Sequence, residues 1–166
     1  MRAEDVISQF DLEPLVPEGG FFKRTHTEER TIEVVRSGKK SQRPVSTAIL
    51  YLITEKSYSS WHKVECTEIY HYYGGSPAVM TLIHPDGRLE QFNLGPRFDV
   101  GEVPQVVIPA GTWQATRIAE PEGDAWTLFG ATVTPGFDYV DFVLADEDEL
   151  LAQFPQHASE IAEYLP

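Results

Sequence analysis

The sequence predicts an all-β domain closed at each end by short helices. Three observations point there. Apolar and aromatic runs of strand length follow one another from residue 46 to residue 136. The 12 prolines and 12 glycines punctuate those runs at intervals suited to tight turns. Helix-like spacing of apolar residues occurs only near the two ends of the chain.

At the N-terminus, AEDVISQF (3–10) puts Val6, Ile7 and Phe10 on one side of a short amphipathic helix. EPLVPEGGFF then breaks it with two prolines and two glycines. RSGKKSQRP (36–44) is polar, basic and proline-terminated, and is expected to be a loop between strands. STAILYLI (46–53) is a continuous apolar run of the kind buried on both faces. TEIYHYY (67–73) alternates, and PAVMTLI (77–83) leads into HPDG (84–87). There proline fixes φ and glycine accepts a positive φ, so RLEQFNL (88–94) should return beside the preceding strand. QVVIPAGTWQATRI (105–118) reads as two short strands around Pro109-Ala110-Gly111, and AWTLFGATVTPG (125–136) as another. DEDELLAQFP (146–155) opens a helix with Asp146 as N-cap and acidic residues in the first turn, which suits the positive end of the helix dipole. Leu150, Leu151 and Phe154 form its apolar face, and QHASEIAEYL (156–165) reads as a second short helix.

With 166 residues, 42% hydrophobic and 23% charged, the chain fits one domain, 1–166, with a real core. A net charge of −13 repels a phosphate backbone and argues against nucleic-acid partners. Seven of the 13 basic residues lie between Lys23 and Arg43, and none follows Ile118. Cys66 is the lone cysteine, so no intrachain disulfide forms and a reducing, cytoplasmic setting is expected. MRAEDVISQFDLEPL lacks the apolar core of a secretory signal, and no run approaches the length of a membrane span.

The densest chemistry lies in SYSSWHKVECTEIYHYYGG (57–75). His62 is followed by Glu68, then by six residues to Gly75; later comes Pro109-Ala110-Gly111-Thr112-Trp113-Gln114. These stretches resemble the two motifs of the cupin superfamily, roughly G-X5-H-X-H-X3,4-E-X6-G and G-X5-P-X-G-X2-H-X3-N. Five pieces in order resemble one branch, the small cupins known as domain of unknown function 985 (cupin family 5). They are PEGGFF (17–22), WHKVECTEIYHYYGG (61–75), HPDG with the LGP at 94–96, PQVVIPAGTWQ (104–114) and ATVTPGFDYVDF (131–142). The resemblance implies a double-stranded β-helix, the RmlC-like cupin jelly roll of two antiparallel sheets, usually paired as a homodimer.

Cupins typically hold Fe, Mn, Ni or Zn with two histidines, a glutamate and a third histidine. This chain departs from that set: Val64 and Ser60 flank His62 where a second histidine would stand, and Gln114 replaces the second-motif histidine. His62, Glu68 and Gln114 remain as a minimal ligand set for a divalent metal, as in an oxygenase-type cupin. Metal-free sugar epimerases of the superfamily suggest instead that His62 acts as base, Glu68 as acid or orienting group, and Tyr70 as proton donor. Glu68, buried among tyrosines, should have a raised pKa, and Asp138 or Asp141 would fix the histidine tautomer. A third expectation is binding or storage without chemistry. In that case Trp61, Tyr72, Trp113, Gln114, Phe21, Tyr139 and Asp141 would line a pocket for a small polar organic ligand, carbohydrate-like or a carbonyl acid.

Strand parity sets Glu68, Tyr70 and Tyr72 on one face of residues 67–73, and Ile69, His71 and Tyr73 on the other. His71, Tyr73 and the 46–53 strand thus offer a second face for a homodimer contact. Glu18, before two glycines, can reach the pocket rim. Cys66 reads as a small buried residue, His84 as part of a surface turn, and His157 as solvated.

Overall fold

The computed structural model describes residues 1–36 and 38–164. The turn-punctuated sequence folds into two antiparallel sheets that face one another. Strands β1 (Glu13–Pro14), β2 (Phe21–Thr27), β3 (Thr31–Arg36), β4 (Lys39–Pro44), β5 (Thr47–Thr54), β6 (Ser59–Val64) and β7 (Thr67–Gly75) come first. They are followed by β8 (Ala78–Ile83), β9 (Leu89–Leu94), β10 (Gln105–Ile108), β11 (Trp113–Ile118), β12 (Trp126–Thr134) and β13 (Phe142–Leu144). Helices α1 (Ala3–Phe10), α2 (Glu147–Gln153) and α3 (Ala158–Ala162) occupy the two ends of the chain. One sheet has the order β1-β2-β5-β12-β7-β10, the other β13-β6-β11-β8-β9, and β3-β4 is a separate hairpin.

The expected loop at 36–44 is therefore mostly strand. Lys39–Pro44 pairs with Thr31–Arg36 over the full length of the hairpin, and Ser37 lies outside the described residues. Arg43 and Pro44 at its base are drawn toward the barrel, with Arg43 buried. A basic composition hid a strand whose side chains need not be apolar on either face.

Three layers of side chains hold the fold. Between the sheets, Tyr51, Ile53, Tyr70, Met80, Leu82, Val106, Ile108 and Phe129 form the main core. Outside the six-stranded sheet, Val6 of α1 and Leu12 just beyond it pack on Leu52 and Leu128. Outside the five-stranded sheet, α2 and α3 lay Leu150, Phe154 and Ile161 over Trp61, Ile83, Trp113 and Ala115. This explains the continuous apolar run at 46–53: Tyr51 and Ile53 face the main core while Leu50 and Leu52 face α1. Each fully buried aliphatic side chain contributes about 1.5–3 kcal/mol.

The end signals behave as their chemistry dictates. Asp146 Oδ1 accepts the Glu149 N–H at 3.1 Å and caps α2. Gly87 at φ +84° closes the β8–β9 turn, with its N–H donating to His84 O at 2.8 Å. His84 itself is buried and 2.7 Å from Glu90 Oε2, and the His157 ring is 2.8 Å from Gly87 O, so neither is a freely solvated imidazole. Among the described residues, no helix is long and apolar enough to cross a membrane.

Candidate functional site

His62 comes from β6 and Glu68 from β7, strands of opposite sheets whose inner faces meet. Both side chains are buried. Next to them the β6–β11 pairing slips: Gln114 faces His62, but Thr116 faces Ser59, so β6 carries an extra residue there. This bulge has two consequences. The Ser60 carbonyl accepts the His62 Nδ1–H at 2.8 Å, and the Ser59 hydroxyl donates to Glu18 Oε1 at 3.1 Å. With Nδ1 committed to a carbonyl, the neutral imidazole keeps its lone pair on Nε2, which lies 3.9 Å from Glu18 Oε1.

Glu18 arrives on the segment between β1 and β2 rather than on a strand. Gly19 and Gly20, at φ +105° and +73°, carry the chain past Tyr51 and Tyr58 at a distance no β-carbon would permit. Tyr51 Oη donates to Gly19 O at 2.9 Å, and the Gly20 N–H donates to Ser57 Oγ at 2.8 Å, which fixes this turn. The sequence hinted at Glu18 only through the two glycines that follow it.

The Gln114 amide N–H donates to Glu68 Oε2 across the gap between sheets at 2.7 Å. Burial pushes the Glu68 carboxyl up from 4.5 to about 7; the His62 charge and the Gln114 hydrogen bond oppose this, and Glu18 adds a smaller upward push. Burial likewise holds the Tyr51 and Tyr70 phenols well above their ordinary range, so both stay neutral donors. The Cys66 thiol is also raised, chiefly by burial, and it donates to Asp141 Oδ2 at 3.4 Å.

Of these groups Glu18, His62, Glu68 and Tyr70 open on a hollow with about 640 Å³ of space, open solvent at its mouth included. Phe22, Ile49, Val64, Ala131, Val133, Phe137 and Phe142 give it apolar walls, while Glu18, His62, Glu68, Tyr70 and Thr47 supply polar atoms. Leu15, Val16 and Pro17 of the Glu18 segment also line it, as do Tyr139 and Arg24, both exposed.

Of the residues singled out from sequence, His62, Glu68, Tyr70 and Tyr139 line the hollow, and Gln114 stands behind Glu68. Trp61 and Trp113 point the other way, under α2 and α3; Trp61 Nε1–H donates to Ile161 O at 3.1 Å, and Lys63 Nζ sits 4.7 Å over Trp113. Phe21 packs with α1, and its neighbour Phe22 takes the inner position. Tyr72 bonds Gly75 O at 2.7 Å, away from the hollow. Asp141 is buried and accepts from Arg43 at 3.1 Å, so the tautomer of His62 is set by Ser60 and not by Asp138 or Asp141. His71 stacks on Tyr73 and accepts from Gln105 at 3.0 Å on the outer face. The 46–53 strand has its outer face covered by α1, which removes it from a dimer contact.

The donor set does not fit a divalent metal. Among the described residues, no group of three or more His, Cys, Asp or Glu could share one ion. Gln114 presents its N–H to Glu68, so the amide oxygen and the carboxylate are not turned toward a common centre. The residues present suit proton chemistry instead: a lone pair on imidazole, a carboxyl held near neutrality and a neutral phenol.

Known proteins share this frame. The chain is 35% identical over 156 residues to the "Uncharacterized protein YML079W" of Saccharomyces cerevisiae, spanning 87% of this chain and 77% of the relative. A crystal structure of protein SO0799 from Shewanella oneidensis superposes with a TM-score of 0.86 at 28% identity, covering 100% of this chain and 98% of that one. A hypothetical protein from Leishmania major gives 0.89 at 26% identity, covering 99% and 98%. A Bacillus subtilis oxalate decarboxylase, at 14% identity and a TM-score of 0.54, shares the fold alone; this chain matches 38% of its length. The family model described as "Cupin superfamily (DUF985)" matches residues 4–145, and the chain belongs to that family of cupins.

Proposed function

We propose that the hollow binds a small polar organic molecule, carbohydrate-like or a carbonyl acid, and that His62 and Glu68 move a proton on it, as in an isomerase or epimerase. The observation that carries this is the pairing of an imidazole whose Nε2 faces the hollow with a carboxyl that burial holds near neutral pH. Glu68, while protonated, gives its proton to the ligand's carbonyl oxygen as His62 Nε2 takes the proton from the neighbouring carbon. The ligand becomes a neutral enol and the two residues an imidazolium and a carboxylate. Return of the proton from His62 to the former carbonyl carbon, with the hydroxyl on the neighbouring carbon giving its proton to Glu68, yields the isomer. Return to the original carbon after the enol turns its other face to His62, with the enol oxygen's proton going back to Glu68, yields the epimer. Either restores both groups. Tyr70 stays neutral and donates to a second ligand oxygen.

Solvent-deuterium incorporation tests this. Protein purified without a tag is first examined by mass spectrometry for co-purifying small molecules. These and a panel of aldoses, ketoses and oxo acids are then incubated in deuterated water. Deuterium should enter at the carbon beside the carbonyl, and His62→Gln should slow it by about 10²–10⁴-fold without lowering the melting temperature. No incorporation above the His62→Gln level across the panel would leave a binding or storage role in its place.

We also infer that a second copy of this chain is the macromolecular partner. Tyr73 and Val107 are exposed on the outer side of β7 and β10, and β10 is the edge of its sheet. Sedimentation should give a dimer that Val107→Lys shifts toward monomer; a monomeric wild type would end this assignment. The lone thiol Cys66, buried and unpaired, supports a cytoplasmic setting.

A further inference from the structure

The charge lining the hollow is arranged end to end. Glu18, Glu68 and His62 stand deep in it, and one permanent cation, Arg24, stands at its mouth. Strand parity places Arg24 on the inner face of β2, two residues beyond Phe22. Pairing then runs straight across the sheet: Arg24 opposite Ile49, Ile49 opposite Ala131, and Ala131 opposite Tyr70. Three strand spacings, roughly 14 Å between backbones, separate Arg24 from Tyr70, and Ile49 and Ala131 form an apolar floor between them. The guanidinium carbon lies 5.9 Å from the Phe137 ring centroid, a stack that holds it over the opening. Its basic neighbours along the chain are matched: Lys23 pairs with Asp11 at 3.2 Å and Arg30 with Glu28 at 3.1 Å. Arg24 has no such carboxylate among the described residues.

We propose that Arg24 reads a ligand carboxylate, so that the molecule taken up is a short-chain oxo acid rather than a neutral sugar. This rests on the small-ligand role proposed above. The carboxylate pairs with Arg24 at the mouth, the apolar chain lies over Ile49 and Ala131, and the carbonyl reaches Tyr70 and Glu68. Glu18, deep in the hollow, repels the acid end of the ligand, while the protonated Glu68 offers a hydrogen bond to the carbonyl, and this sets the direction of entry.

Levulinate and 5-oxohexanoate, each against its methyl ester, separate charge recognition from shape. Titration calorimetry should show at least one acid binding saturably and its ester about tenfold more weakly. Arg24→Gln should abolish that acid-over-ester preference and Arg24→Lys should retain part of it; raising the salt should weaken the acid and leave the ester unchanged. Equal binding of acid and ester, an unchanged preference in Arg24→Gln, or no binding of either acid overturns the assignment. Deuterium exchange at the ligand carbon beside the carbonyl separates this from the chemistry above. Acid preference without His62-dependent exchange keeps the Arg24 role and ends the proton-transfer role; exchange unaffected by Arg24→Gln does the reverse.

Discussion

Gln114 donates its amide N–H to Glu68 Oε2 at 2.7 Å, while its own Oε1 is buried without a protein partner. The bond crosses from one sheet to the other and favours the charged form of the carboxyl. Replacing Gln114 with Leu removes both the donor and the orphaned oxygen. The Glu68 titration, followed by carboxyl carbon NMR, should therefore move above about 7. At pH 8 the ionised carboxylate loses its donor and stability should fall by roughly 1–3 kcal/mol; at pH 5 the change should be small. A downward titration shift would mean that Gln114 does not support the carboxylate.

Glu68 itself makes stability depend on pH in an unusual direction for a carboxylate. In the folded protein it keeps its proton to about pH 7; unfolded, it loses it near 4.5. Between these values the folded state holds more protons, so its contribution is full below about 4.5 and is lost as pH rises to 7. The loss is on the order of 3 kcal/mol. Glu68→Gln keeps the acceptor for Gln114 and cannot ionise. It should melt above the wild type at pH 8 and together with it near pH 4.5. An equal gap at both values would show that ionisation of Glu68 is not what costs stability.

How far the site could be read from the chain follows from the same strands. The strands at 47–54 and from 67 to 134, the Pro-Asp-Gly turn and the capped C-terminal helix follow from local chemistry, the polar β3–β4 hairpin does not, and the cupin motifs point to how the strands assemble. The aromatic wall does not follow as simply. Once His62 faces inward, alternation sends Trp61 outward; the same holds for Gln114 and Trp113, and for Phe22 and Phe21. Large aromatic residues beside a motif are therefore as apt to seat a helix as to line a pocket. The bulge at Ser60 breaks alternation and brings Ser59 inward, and no local pattern announces it. Glu18 and Arg24 depend on a loop path and a cross-sheet row, both set by contacts distant in sequence.

Arg43 and Asp141 form an ion pair at 3.1 Å with both side chains almost fully enclosed. The pair ties the base of the β3–β4 hairpin to the 3-10 turn Tyr139–Asp141, next to the wall residues Tyr139 and Phe142. Removing Asp141 leaves the buried Arg43 guanidinium with only the exposed Asp138 carboxylate, 3.5 Å away, so Asp141→Ala should cost about 1–3 kcal/mol in urea unfolding. The paired change Arg43→Met with Asp141→Leu should recover most of that loss, because desolvation of both charges disappears. If the double variant is as unstable as the sum of the singles, the ion pair does not couple the two segments.

The turn that delivers Glu18 has the narrowest tolerance in the site. At φ +105° Gly19 holds a conformation that L side chains avoid, and a β-carbon there would collide with the Tyr58 carbonyl. Gly19→Ala should therefore cost about 1–3 kcal/mol of strain. The turn can shed that strain only by giving up the Tyr51–Gly19 or Ser57–Gly20 hydrogen bond, which withdraws Glu18 from Ser59 and His62. Because the Glu18 charge raises the Glu68 carboxyl, its withdrawal should move the Glu68 titration downward. Glu18→Gln deletes the same charge without strain, and should reproduce the downward shift while the melting temperature stays nearer the wild type. If neither variant moves the Glu68 titration, Glu18 does not share the hollow electrostatically with Glu68, and the Gly19-Gly20 turn serves only the chain path.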